Sequence, residues 1–178
     1  MQLETERLIL KPITEGDWLF FEALHQSRDV MRFVSDLSSA SEIRARFESR
    51  LIHWAKSENS WLALIIIEKN TGNKIGITGF YSEWKPYEQF ELGFLLATEF
   101  HGKGFAKEST LAVLDLAFNT CGFHKATATV TEGNNSSFGL LKRLGFRHDG
   151  TLKDNFKLSG KWCNDLKLSL LRSEYNVM

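Results

Sequence analysis

Disulfide bridges, structural zinc and membrane spans find little to work with in this chain. Only two cysteines occur in 178 residues, Cys121 and Cys163, and neither stands in a paired Cys/His spacing. No disulfide framework and no zinc site is therefore expected. The five histidines, at 25, 53, 101, 124 and 148, are scattered, and no two stand four apart on an expected helix, as metal ligands often do. The two prolines, Pro12 and Pro86, lie far apart, and no Pro/Gly/Ser-rich linker or internal repeat is present. One continuous domain over 1–178 is expected. The longest apolar run, Trp61 to Ile67, spans seven residues, well short of the ~18–20 that a membrane span needs. The charged opening Met1–Arg7 lacks the pattern of a secretory signal, so the cytoplasm is the expected compartment. Neither charge prevails: Lys+Arg and Asp+Glu are both 22. Without a global field, neither nucleic acid nor a membrane is an expected partner, and any anion must be bound locally.

What is present is an ordinary globular composition, 43% hydrophobic and 25% charged, in a chain long enough to bury a substantial core. Arg7–Pro12 reads as a strand, and Thr14 as the cap of a helix with Trp18, Phe21 and Leu24 on one face. Ser39 and Glu42 form a capping box for a second helix, expected to run to about residue 58 with Ile43, Phe47, Leu51, Trp54 and Ala55 along its apolar stripe. Trp61–Lys69 and Lys74–Trp84 read as a hairpin across Asn70–Asn73, and Gln89–Ala97 as a further strand. A helix from Gly104 to Asn119, a strand at Lys125–Thr131 and a helix from about Ser136 to Leu144 follow. Strands at Phe146–Leu158 and Cys163–Leu171 close the chain. Hairpins first and strand–helix–strand units later imply an α/β (α+β) mixed sheet with helices on its faces.

The segment richest in chemistry is Phe90–Glu108, a strand leading through His101-Gly-Lys-Gly104 into a helix. Glycines allow close backbone approach, and the first free N–H groups of a helix make an anion site suited to a diphosphate. Two phosphate motifs fail here. The third glycine of the dinucleotide fingerprint would fall at Lys107, and Lys103 is followed by glycine rather than Ser/Thr. A second segment, Asn134–Phe146, brings Asn and Ser residues to a helix start, where capping alone accounts for them and Leu140, Leu141 and Leu144 make the buried face.

Thr5-Glu-Arg-Leu-Ile-Leu10, Glu91-x-Gly-Phe94, His101–Glu108, Asn134–Phe146 and the closing Asp165–Tyr175 fall in the order seen in the GNAT acetyltransferase superfamily. Over nearly its whole length the chain resembles that family, specifically its ribosomal-protein N-acetyltransferase (RimJ/RimL-like) branch. The resemblance implies a single domain built on a mixed, mostly antiparallel, twisted sheet, splayed at its fourth strand and carrying helices on both faces. It implies acetyl transfer from acetyl-CoA (coenzyme A) to a primary amine. The family's acyl-CoA motif falls on His101, Gly104 and Ala106, so the resemblance assigns the amides of Gly102, Lys103, Gly104, Phe105 and Ala106 to the diphosphate. His101 stands where the family has Gln or Arg. Phe94, Leu95 and Leu96 would lie along the pantetheine, and Asn134 would reach the cofactor arm and the reaction centre.

An amine attacks a thioester only when unprotonated, so a base and an oxyanion donor are needed. Glu91, a carboxylate in an apolar strand, is the base candidate, acting through water; a surface ion pair is its other role. Ser137 matches the family position that hydrogen-bonds the departing sulfur, and a helix cap is the alternative. The oxyanion donor is expected on the Glu91–Leu96 backbone, for instance the N–H of Phe94. Neither cysteine has a neighbour that would activate it. Trp54, Trp61, Trp84, Tyr87 and Phe156 are aromatic candidates for the amine pocket or the core. Trp84 and Tyr87, in the loop before the catalytic strand, are the expected substrate contacts. The acceptor stays open between a protein N-terminal α-amine, whose pKa of about 7.7–8.0 needs least help, and a small amine such as a polyamine, amino sugar or antibiotic. A non-catalytic acyl-CoA sensor and either a monomer or a homodimer remain open as well.

Overall fold

A computed structural model describes residues 1–175; the last three positions of the domain expected over 1–178 lie outside the described residues. The strands are β1 (Leu3–Glu4), β2 (Leu8–Pro12), β3 (Trp61–Glu68), β4 (Lys74–Glu83), β5 (Gln89–Leu96), β6 (Lys125–Thr131), β7 (Arg147–Leu158) and β8 (Lys161–Leu171). The helices are α1 (Trp18–Gln26), α2 (Arg28–Met31), α3 (Ala40–Leu51), α4 (Phe105–Asp115), α5 (Asn135–Arg143) and α6 (Arg172–Tyr175). One sheet of order β1-β2-β3-β4-β5-β6-β8-β7 holds them together. Every pairing is antiparallel except β5 with β6.

The apolar run of β3 reads without alternation because both of its faces are covered. Leu62, Leu64 and Ile66 join the larger core with Val113 and Leu114 of α4 and Leu140 and Leu141 of α5. Ala63 and Ile65 point the other way, into a second core with Phe21 of α1 and Ile43 and Phe47 of α3. Helices therefore lie on both faces.

Local chemistry sets most helix starts. Ser39 Oγ accepts from the Glu42 N–H (3.4 Å), and the Glu42 carboxylate accepts from the Ser39 N–H (2.7 Å). Thr14 and Asp17 close a similar box around a short 3-10 turn ahead of α1. The second helix, expected to reach about residue 58, stops at Leu51, where Ile52 turns extended (φ −60°, ψ 134°). Trp54 leaves the stripe because its indole N–H donates to the Ser82 hydroxyl (2.8 Å) and its ring meets Phe80 edge-on. Phe146 is not the first residue of β7; it is buried beneath α5, with its N–H donating to the Leu141 carbonyl (3.0 Å). The chain also adds β1, α2 and α6 to the elements read from the sequence.

One feature of the sheet shapes the site. β5 and β6 pair only at Gln89–Lys125, Phe90–Ala126 and Glu91–Thr127. From Leu92 to Leu96 the two strands part. β5 is the fourth of the strands read from the sequence, so the splay expected there is present. The segment between α2 and α3 crosses one end of the opening: the Thr131 hydroxyl donates to the Phe33 carbonyl (2.7 Å), and the Ser159 N–H donates to Asp36 (2.8 Å).

Candidate active site

A cleft of about 530 Å³ passes through the splay. Its walls are Leu92 to Leu95 of β5, Ala128 to Thr131 of β6, Asn134 and Ser137 at the start of α5, and residues of α1, α3 and the 33–35 segment on the far side. Among the described residues the parted edge of β5 has no strand partner along Leu92–Leu96, which leaves main-chain groups able to pair with an extended ligand.

Past the end of β5 at Leu96 lies the glycine loop. Gly104 is the N-cap of α4 in the left-handed region (φ 84°), and no side chain among the described residues caps the helix. The first amides of α4 are therefore free to donate, as an anion site requires. His101 Nε2–H donates to the Leu96 carbonyl (2.9 Å), so this departure from the family pattern ties the loop back to the strand. Lys103, Gly102 and Gly104 are exposed, and Phe105 is buried beneath them. The residues present fit a diphosphate-bearing thioester such as acetyl-CoA: amides at the loop, an open strand edge, then the cleft.

The sequence reading missed what holds this loop. The Arg7 guanidinium donates to the Lys103 carbonyl (3.0 Å) and to Glu108 Oε2 (2.7 Å), and lies 4.5 Å over the Phe105 ring. Glu108 Oε1 also accepts from the Thr5 hydroxyl (2.6 Å) and the Arg7 N–H (2.8 Å). Burial works against the Glu108 charge, but these donors hold the carboxyl below its ordinary range. The only sequence signal was the pairing of two distant charged motifs, which no local rule connects.

Of the expected site residues, Phe94, Leu95, Asn134 and Ser137 line the cleft. Leu96 does not; it is core. Asn134 Oδ1 accepts from the Ser137 N–H (3.2 Å) and caps α5. The cap is therefore Asn134, and Ser137 keeps its hydroxyl for other partners. Glu91 sits at the last paired rung of the splay, where its Oε1 accepts from the Thr129 hydroxyl (2.7 Å). Thr129, a cleft residue, accepts in turn from Lys167 Nζ (2.6 Å).

Trp84 and Tyr87 are placed elsewhere. Their loop joins β4 to β5 at the closed end of the sheet, before Gln89 pairs with Lys125. Trp84 packs edge-on against Phe123 with Lys56 Nζ 3.6 Å above its ring, and Tyr87 is 64% exposed. Of the five aromatic candidates Trp54, Trp61, Trp84, Tyr87 and Phe156, Trp61 and Phe156 reach the cleft. A Cβ at Gly93 would stand 3.1 Å from the Trp61 ring, so the indole lies close over β5 at the splay and a larger residue there would press on it.

His25 also lines the cleft, at 6% exposure. Its ring stacks on Phe21 (4.0 Å), and Nδ1–H donates to the Phe21 carbonyl (2.8 Å). Burial holds its pKa below the ordinary 6.5, so Nε2 is an unprotonated acceptor at neutral pH. Cys121 lies outside the cleft, and burial pushes its thiol up.

The profile of the acetyltransferase (GNAT) domain matches residues 7–147. An uncharacterized N-acetyltransferase of Bacillus licheniformis is 30% identical over 87% of this chain and 77% of its own. A spermidine N(1)-acetyltransferase of Vibrio cholerae is 24% identical over 95% of each chain. A solved structure of the spermidine N-acetyltransferase from Vibrio cholerae, in complex with CoA and spermine, shares the fold with a TM-score of 0.85 at 22% identity, covering 97% of this chain and 99% of that one.

Proposed function

This chain belongs to the GNAT acetyltransferase family, and from that premise we propose that its cleft transfers the acetyl group of acetyl-CoA directly to a small primary amine. The observation that carries the reading is the succession along β5 of an edge that parts from β6 and walls the cleft, followed past Leu96 by the uncapped amides that open α4. The protein N-terminal acceptor implied by a ribosomal-protein branch is the weaker alternative. Spermidine is the acceptor named for a relative, and α1, α3 and the 33–35 segment wall the far side of the cleft.

Bound acetyl-CoA supplies a thioester carbonyl and a diphosphate. Gly102 to Ala106 hold the diphosphate through main-chain N–H groups, and Arg7 fixes the loop by engaging the Lys103 carbonyl. The β5 edge aligns the arm, and the Phe94 N–H faces the charge that develops on the carbonyl oxygen. The amine nitrogen bonds to the acetyl carbon, the carbon–sulfur bond breaks and the amine gives up a proton. Glu91, reached through water beside Thr129, takes that proton, while the Ser137 hydroxyl donates to the departing sulfur. His25 supports a second assignment for the base, because its Nε2 is unprotonated and borders the acceptor side of the cleft.

Thiol release from acetyl-CoA against a panel of primary amines tests the reading. Glu91→Gln is expected to lower kcat about 10²-fold, the usual scale for a general base, with acetyl-CoA binding retained. Wild type that binds acetyl-CoA yet acetylates no amine would mark a sensor instead.

A further inference from the structure

α3 carries Arg46 and Arg50 four residues apart, so both lie on one helix face, where like charges weaken an isolated helix. Both line the cleft. Neither forms an ion pair among the described residues. The acids of α3 are engaged elsewhere: Glu42 in its own cap and Glu48 with Arg44. The Arg50 guanidinium lies 4.3 Å over the Trp61 ring, and that ring covers Gly93 at the splay. Burial, with repulsion from Arg46 added, brings Arg50 down to about 10, which leaves it fully charged at neutral pH. Ser35, on the same side, has a buried hydroxyl with no hydrogen-bond partner among the described residues.

The sheet side of the cleft is mixed in sign, with Lys167 Nζ held on the Thr129 hydroxyl (2.6 Å). Asp165, at 9% exposure, lines the cleft from β8 and accepts from Asn155 Nδ2 (2.7 Å), while Glu91 is joined to the cleft through Thr129. An acceptor site with two arginines free of ion pairs among the described residues on α3 and the Asp165 carboxylate on β8 suits a molecule carrying both charges. It does not suit a polycation, which Arg46 and Arg50 would repel.

We propose that Arg46 and Arg50, backed by Trp61, bind an oxyanion on the acceptor, so that the amine acetylated here belongs to a small molecule bearing a carboxylate or phosphate a few bonds from its nitrogen. The inference rests on the acetyltransferase reading and deepens it. A guanidinium fork pairs two N–H groups with two oxygens of either anion, and the amine is thereby directed toward Asp165 and the Thr129 hydroxyl that bonds Glu91.

The test compares kcat/KM, by thiol release, for matched acceptors: alanine and alaninamide, 4-aminobutanoate and its amide, 3-aminopropyl phosphate and 3-aminopropanol, and spermidine. The anionic member of at least one pair is expected to be favoured by about tenfold or more, largely through KM, and the carboxylate and phosphate pairs identify which oxyanion is read. In Arg50→Gln and Arg46→Gln, each checked for folding by its thermal melt, that ratio should fall toward one. Spermidine or the neutral partners being used as well as the anions would overturn the proposal, as would an unchanged ratio in both variants. If no acceptor in the panel turns over, quenching of tryptophan fluorescence by N-acetylalanine in the presence of CoA decides: binding lost in Arg50→Gln supports the anion site, and no binding to wild type removes it. Loss of acetyl-CoA binding itself would instead strike the acetyltransferase reading.

Discussion

Arg7 shows how one side chain far from the glycine loop in sequence sets that loop in space. Its side chain is 41% exposed, yet it combines two guanidinium contacts to Glu108 Oε2, a bond to the Lys103 carbonyl and a stack on Phe105. A surface pair alone is worth ~0–1 kcal/mol, so Arg7→Ala is expected to cost little stability. Its effect should fall on the cofactor loop: Kd and KM for acetyl-CoA should rise about tenfold, with KM for the amine unchanged, as calorimetry and initial rates will read. Equal losses in both KM values would refute this role. Glu91 was legible as a lone carboxylate in an apolar strand. Its link through Thr129 to Lys167 was not, because those residues come from β6 and β8 and meet only across the sheet.

At the scale of elements, local rules work where the controlling interaction is local. The α3 start was readable because Ser39 and Glu42 serve each other, and the β3 run because seven apolar residues need cover on both sides. The α3 end was not readable, since Trp54 departs for a hydroxyl on β4 rather than for any signal in its own stretch. Gly104 joins the two cases. It is the N-cap of α4 at φ 84°, and an added Cβ would stand 3.3 Å from Arg7 Nη2. Gly104→Ala therefore forces a left-handed L-residue, costing roughly 1–2 kcal/mol, and also presses on the clamp. We expect a thermal shift of a few degrees together with weakened acetyl-CoA binding; a melt and a Kd both at wild-type values would show that the loop does not need this backbone.

For the whole molecule, acid stability should decline in two stages. His25 is held below 6.5 in the fold, mainly by burial. As pH falls past that value the unfolded chain gains a proton there before the folded chain does, so stability is complete above 6.5 and is lost on descent. Glu108 and Asp17 are depressed from 4.5 and 3.8 against their burial, by Thr5 and Arg7 and by Lys74 and Thr14 respectively. Their contribution is complete above those ordinary values and is lost only as pH drops through the lower folded ones. Urea midpoints measured from pH 8 to 3 should show both declines, and His25→Gln should flatten the upper one alone. An unaltered upper decline in that variant would assign it to another group.

The order of strands and helices, the alternation that faces them inward, the free amides at a glycine-led helix start and the absence of a disulfide or zinc-type spacing follow from residues near one another in the chain. Periodicity, capping and turn chemistry act over a few positions and can be read there. The parting of β5 from β6, the clamp on the glycine loop, the removal of Trp84 and Tyr87 from the cleft, and the meeting in one cleft of Arg46, Arg50 and Asp165, the arginines without an ion pair among the described residues, arise only when distant segments are packed together. Burial and charge at those points depend on what the rest of the chain places opposite each side chain.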